Sequence, residues 1–204
     1  MIGLLGKKLG MSQLFTDDGK LLAVSMVEAG PCPVVQVKTK EKDGYEAIQI
    51  GFGEKKRVNK PLAGHLKNGK LKTIGTLGEL KVKDISKYKT GDQLTVSLFV
   101  VGDKVSVCGY TKGRGFTGGM KRWGWMGGPA THGSMSHRRM GSVGANTYPG
   151  RIWKNKTMPG RYGNERVTTK NIKVVKIDND KNIIYLEGAV PGPTNGFIVV
   201  VKGE

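Results

Sequence analysis

Acidic residues are scarce in this chain. There are 16 Asp and Glu against 34 Lys and Arg in 204 residues, a formal net charge of +18. Such a surplus makes a polyanion the natural partner and disfavours an acidic substrate. Cysteine is scarcer still: Cys32 and Cys108 are the only two. That excludes a disulfide scaffold and points to a reducing compartment, with both thiols read as small buried apolar residues in strands. Long apolar runs are missing as well. Stretches such as LTVSLFVVG are far too short to cross a bilayer. The opening MIGLLGKKLGMSQLF has paired lysines and no signal-length apolar core, and it lacks transit-peptide composition. The expectation is a soluble cytoplasmic protein. Hydrophobic residues make up only 37% of the chain, low for one that packs along its whole length. Glycine is abundant instead, 32 residues, about twice the roughly 7% average.

The first hundred residues read as strands and turns. LGMSQLFTDDGKLLAVSMVEAG places two apolar runs around Asp17-Asp18-Gly19, the chemistry of a tight hairpin. PVVQVKTKEKDGYEAIQIGFG repeats the pattern around Asp43-Gly44. Residues 54–90 lose the period, with a turn at Asn68-Gly69 and a short helix or structured turn at DISKYKTGD, and read as an insertion on a barrel. QLTVSLFVVGDKVSVCGYT returns to strand character around Gly102-Asp103. At the other end, IKVVKID and NIIYLEGAV flank a hairpin sequence, Asp178-Asn179-Asp180-Lys181, before a last strand FIVVV. The expected fold is mainly β, with a barrel from residues 1–109 and 167–204.

Composition changes abruptly between those blocks. Residues 110–166 hold eleven basic residues and one acid, Glu165, for a net +10 over 57 residues. All three tryptophans and 13 of the glycines fall there, while Val143 and Ile152 are the only branched aliphatics besides a complete absence of Leu. Such a segment lacks the apolar residues to build a core of its own and is expected to order against a partner. Its cations suit phosphates, its aromatics suit base faces, and its glycines allow close backbone approach. A connection this long, inserted between strands, itself points to function.

Catalytic and metal motifs are weak. Gly113-Arg114-Gly115-Phe116-Thr117-Gly118 matches GxGxxG, but the following GGMKRWGWMGG is too Gly-rich for the helix a dinucleotide site needs, and no acid follows within forty residues. His132 and His137, with either cysteine, match no common zinc spacing. No nucleophile signature is present. The reading is therefore no enzyme, no cofactor and no metal. The rivals are a nucleic-acid-modifying or nucleotide-dependent enzyme, and an RNA chaperone or translation factor.

Five long blocks resemble one family. MIGLLGKKLGMSQLF, VCGYTKGRGFTGGMKRWGW, GPATHGSMSHRRMGSVG, MPGRYGNERVTTKNIKVVKID and LEGAVPGPTNGFIVV are similar to the universal large-ribosomal-subunit protein three family in its bacterial form. The resemblance implies a translation-factor-like β-barrel with a long irregular basic extension that enters large-subunit (23S-type) rRNA toward the peptidyl transferase centre. It implies early binding near the 3′ end of that rRNA, beside other large-subunit proteins, with no membrane and no small-molecule substrate. The family's tryptophan finger maps onto KRWGW, placing Trp123 and Trp125 at or near its tip. Thr147 stands where some bacterial members carry a methylated glutamine, so that modification is expected to be absent. The RNA-binding set nominated from the residues and the resemblance together is Lys7, Lys8, Lys112, Arg114, Lys121, Arg122, Trp123, Trp125, His132, His137, Arg138, Arg139, Arg151, Lys154, Lys156, Arg161 and Arg166.

Overall fold

The structure is a computed structural model that describes residues 3–16, 18–67, 71, 73–82 and 84–203. The expected turn at Asn68-Gly69 lies outside them. The strands in chain order are β1 (Gly3–Phe15), β2 (Leu21–Ala29), β3 (Cys32–Lys38), β4 (Ala47–Phe52), β5 (Thr76–Leu80), β6 (Gln93–Leu94), β7 (Lys104–Tyr110), β8 (Gly115–Thr117), β9 (Gly160–Tyr162), β10 (Arg166–Asp178), β11 (Ile183–Glu187) and β12 (Phe197–Lys202). The helices are α1 (Lys40–Asp43), α2 (Lys60–Lys67) and α3 (Gly119–Trp123). The chain divides into two compact units, Met1–Thr111 with Arg166–Glu204, and Lys112–Glu165.

The first unit is built on a closed antiparallel barrel in the order β1-β12-β7-β10-β11-β2. Side chains alternate across a strand, so inward positions recur at every second residue. Val105 and Val107 on β7, Ile172 and Val174 on β10, Ile184 and Leu186 on β11, and Ile198 and Val200 on β12 are such pairs, all buried. Burying each of these aliphatics contributes about 1.5–3 kcal/mol relative to exposure. The two 13-residue strands must bend for a small barrel to close, and both slip register: β1 against β2 between Lys8 and Gly10, β10 against β7 between Thr169 and Ile172. The predicted hairpins between β1 and β2 and between β10 and β11 are present.

The second predicted hairpin pairs as expected, β3 with β4, but it lies outside the barrel. It forms a four-stranded sheet in the order β5-β4-β3-β6. Alternation identifies a strand but not its neighbour, so the sequence could not choose between the two sheets. Residues 54–90, read as an insertion, supply α2 and β5 to this sheet. Leu66 of α2 packs with Val35 and Ile74 in a small cluster. Ile48, Ile50 and Phe52 of β4 share one continuous core with the barrel's Leu4, Val107 and Leu186. The LTVSLFVV run departs from expectation: only Gln93–Leu94 is strand, and Val96–Leu98 is a single 3-10 turn that buries Val96. Cys32 and Cys108 are buried free thiols in β3 and β7. Burial pushes the Cys32 thiol up to about 11, and its Sγ sits 3.3 Å from the Leu5 carbonyl as donor. It is therefore protonated and unreactive at neutral pH.

Candidate nucleic-acid interface

Residues 112–165 order without a core. Among the described residues, the buried hydrophobic side chains stop at Cys108 and resume at Ile172. What orders the unit is backbone pairing and a few polar ties. β8 and β9 pair antiparallel, Gly115 opposite Tyr162 and Thr117 opposite Gly160, and the Arg114 amide extends the ladder to the Tyr162 carbonyl at 2.8 Å. The GRGFTG motif is thus partly strand, not the tight phosphate turn that a dinucleotide site requires.

The stretch judged too glycine-rich for a helix does form one, α3, but only for five residues. Gly124 ends it at φ +73, the left-handed conformation that glycine adopts at least cost, with its amide donating to the Met120 carbonyl. Gly119 is required for another reason: the Trp125 ring lies where a Cβ there would stand. The tryptophans then tie α3 to the returning chain. Trp123 Nε1 donates to the Met158 carbonyl at 2.8 Å, and Trp125 Nε1 to Thr157 Oγ1 at 3.3 Å. An Arg122 guanidinium nitrogen donates to the same Met158 carbonyl at 2.9 Å, and that guanidinium lies 4.9 Å from the Trp123 ring centre. A guanidinium over an indole face is a cation–π pair.

The nominated residues separate on this frame. Lys112, Arg114, Lys121, Arg138, Arg139, Arg151, Lys154, Lys156 and Arg161 are exposed, as is Arg166 on β10. Glu165 is the only acid within residues 112–165, so that unit carries a net +9. The ion pairs Lys38–Glu79 and Lys202–Asp103 belong to the first unit, where acids are available. Arg122 and Trp125 are half-buried and Trp123 is partly exposed, so these three have packing duties as well. His137 Nδ1 lies 3.0 Å from the Pro129 carbonyl, and His132 is exposed at φ +59. Lys7 is half-buried on β1. Lys8 needs correction: it is buried, and its ammonium donates to the Val190 carbonyl at 2.9 Å and to that of Gly192 at 3.4 Å. Its position in the first unit is that of an internal tie, not of a surface cation.

The sequence reading missed several exposed apolar side chains. Met126 is 96% exposed, Phe116 81% and Trp153 60%. Trp153 carries the Arg151 guanidinium 5.4 Å from its ring centre. The signal available was the alternation of RIWKNK, where an aromatic interleaves with three cations. Exposed aromatics among cations form the combination that stacks on bases while neutralising phosphates. Among the described residues, no group of three or more His, Cys, Asp and Glu comes together to hold a metal. None of their helices is long and apolar enough to cross a membrane.

Comparison with known proteins finds relatives along nearly the whole chain. A family model described as "Ribosomal protein L3" matches residues 79–182. The chain is 51% identical to the large ribosomal subunit protein uL3 of Herpetosiphon aurantiacus, over 98% of this chain and 95% of that protein. It is 50% identical to the uL3 protein of Heliobacterium modesticaldum and 49% to that of Thermotoga maritima, in each case over 97% of this chain and 95% of the relative. A match of this extent, spanning both units, shows that the chain belongs to the uL3 family of large ribosomal subunit proteins, in its bacterial form.

Proposed function

We propose that this chain is a structural, non-enzymatic constituent of the large ribosomal subunit, bound in the cytoplasm to that subunit's rRNA through residues 112–165. One observation carries the rRNA contact. That unit buries no large apolar side chain, yet presents ten basic residues and several exposed aromatics and methionines. A polypeptide with this surface gains little by packing on itself and much by packing on RNA. The mechanism is electrostatic and steric. Cations offset phosphate repulsion where RNA strands crowd together, and stacked aromatics fix base positions, with no chemistry by the protein. The family resemblance adds that binding occurs early in assembly, near the 3′ end of the rRNA, that the KRWGW stretch approaches the peptidyl transferase centre, and that other large-subunit proteins are neighbours.

The test is binding of the full chain to a transcribed 3′-region fragment of 23S-type rRNA, with footprinting, alongside cosedimentation with large subunits in high salt. Protection of discrete RNA sites and retention on the subunit are expected. Affinity no greater than for an unrelated RNA, or release from subunits in the salt wash, would overturn the proposal.

A further inference from the structure

The unit formed by residues 112–165 contains a concavity of about 360 Å³, within the roughly 300–1,000 Å³ range of small-ligand sites. Trp125 and Met140 provide its apolar lining, Arg139 and Lys156 its charge, and Ser136 a hydroxyl that can donate or accept, while the Ser142 hydroxyl donates to the Gly144 carbonyl at 3.0 Å and can still accept. No acid lines it. Its walls are fixed by the local fold. The Trp125 indole is held by its bond to Thr157, and the Gly128 amide donates to the His137 carbonyl at 2.8 Å.

We infer that this pocket receives a single nucleotide of the bound RNA, unstacked from its neighbours. The inference rests on the RNA-binding reading above and deepens it. An indole and a thioether offer flat and polarisable surfaces to one base. Two cations without an acid beside them suit the phosphate of that same nucleotide. Hydroxyls suit the base edge, which has both donors and acceptors. A carboxylate side chain from a protein would use the cations and leave the aromatic wall without a partner. The combination of aromatic, cationic and hydroxyl groups around one small volume matches a whole nucleotide.

Gly141 also lines the pocket, and a Cβ built on it meets nothing within 4 Å. Gly141→Leu therefore adds bulk at the pocket's lining without altering charge or clashing with backbone. Gly144, equally open, does not line it and provides the control Gly144→Leu. Full chains are bound to the 3′-region rRNA fragment and the RNA is probed chemically at nucleotide resolution. In the wild-type and Gly144→Leu complexes, one nucleotide reactive in free RNA is protected at its base. In the Gly141→Leu complex that base regains reactivity, and affinity falls about tenfold, as expected for one lost stacking contact, with the remaining footprint and the salt dependence unchanged. Ser142→Leu, from the pocket's other lining, gives the same result and stands in should Gly141→Leu misfold by circular dichroism. A wild-type footprint retained in full by both pocket-lining variants overturns the pocket assignment and leaves the RNA-binding reading intact. Failure of the wild-type chain to bind the fragment overturns both.

Discussion

The ammonium of Lys8 donates to two backbone carbonyls, at Val190 and Gly192, from within the barrel unit. Successive side chains of a strand face opposite ways, so in a Lys-Lys pair on β1 one must turn inward. The doublet alone reads as surface charge, and because Leu4 and Leu5 are both buried the strand period does not say which lysine turns inward. Lys8→Met keeps the length and removes the donor, leaving carbonyls without it. The expected loss is about 1–3 kcal/mol of stability, measured as a lower denaturant midpoint. The affinity of the remaining folded chain for rRNA should be unchanged. Full stability with weakened RNA binding would return Lys8 to the surface set. Trp123 is the opposite case. Its indole nitrogen holds the Met158 carbonyl, and it has no place in the barrel core. Trp123→Ala should leave the main thermal transition of the full chain where it is. It should also speed tryptic cleavage at Arg122 and at sites in residues 138–156, because α3 loses a tie to the returning chain. A large drop in the main transition would mean that Trp123 supports the barrel.

At the scale of elements, the barrel was legible because period-two burial is written directly in VSV, IKV, IYL and IVV, each with inward residues at i and i+2. The sheet holding β3 and β4 was not, since nothing local distinguishes its partners from barrel strands. Helix α3 was not legible either. Its propensity is poor, and it exists because Gly119 admits the Trp125 ring and because Met158 and Thr157, more than thirty residues away, accept from Trp123 at its end and Trp125 just beyond it. Polar ties of this kind across strands also set a pH response. In the β5-β4-β3-β6 sheet, Lys38 of β3 reaches Glu79 of β5 at 2.6 Å, and the Tyr45 hydroxyl donates to Glu79 at 2.8 Å. The bond from Lys38, then that from Tyr45, holds the Glu79 carboxyl below its ordinary range. Lys202 of β12, then the Val100 amide, does the same for Asp103. A carboxylate with a lowered folded pKa stabilises the fold above its unfolded value, near 4, and loses that contribution as pH falls through the folded value. Glu79→Gln with Asp103→Asn should therefore flatten the fall of melting temperature below about pH 5, with the wild-type and variant curves converging in acid. Parallel curves from pH 7 to pH 2 would show that these pairs contribute nothing; for exposed pairs the effect is small.

At the scale of the molecule, charge is partitioned by unit. Residues 112–165 carry half of the +18 in about a quarter of the chain. This was the most legible feature, because it needs only counting. What counting could not supply was that the segment forms a compact unit, since its order comes from backbone pairing and glycine contacts that leave no hydrophobic pattern. The consequence is a salt response. Each phosphate contact made by a cation releases condensed counterions, so log affinity falls linearly with log salt, by about 0.7–0.9 per contact. Arg138 and Arg139 are both exposed, and the Arg139 amide is fixed by the Ser136 carbonyl at 2.9 Å. Replacing both by Ala should weaken binding to the 3′-region rRNA fragment at low salt and make the slope shallower by up to about two contacts' worth, roughly 1.4–1.8. The two curves should then approach each other as salt rises, because the lost interaction is one that salt removes in any case. Loss of affinity with an unchanged slope would mean that these arginines read bases or support the fold, and the phosphate contacts would have to be sought among Lys112, Lys154 and Arg161 instead.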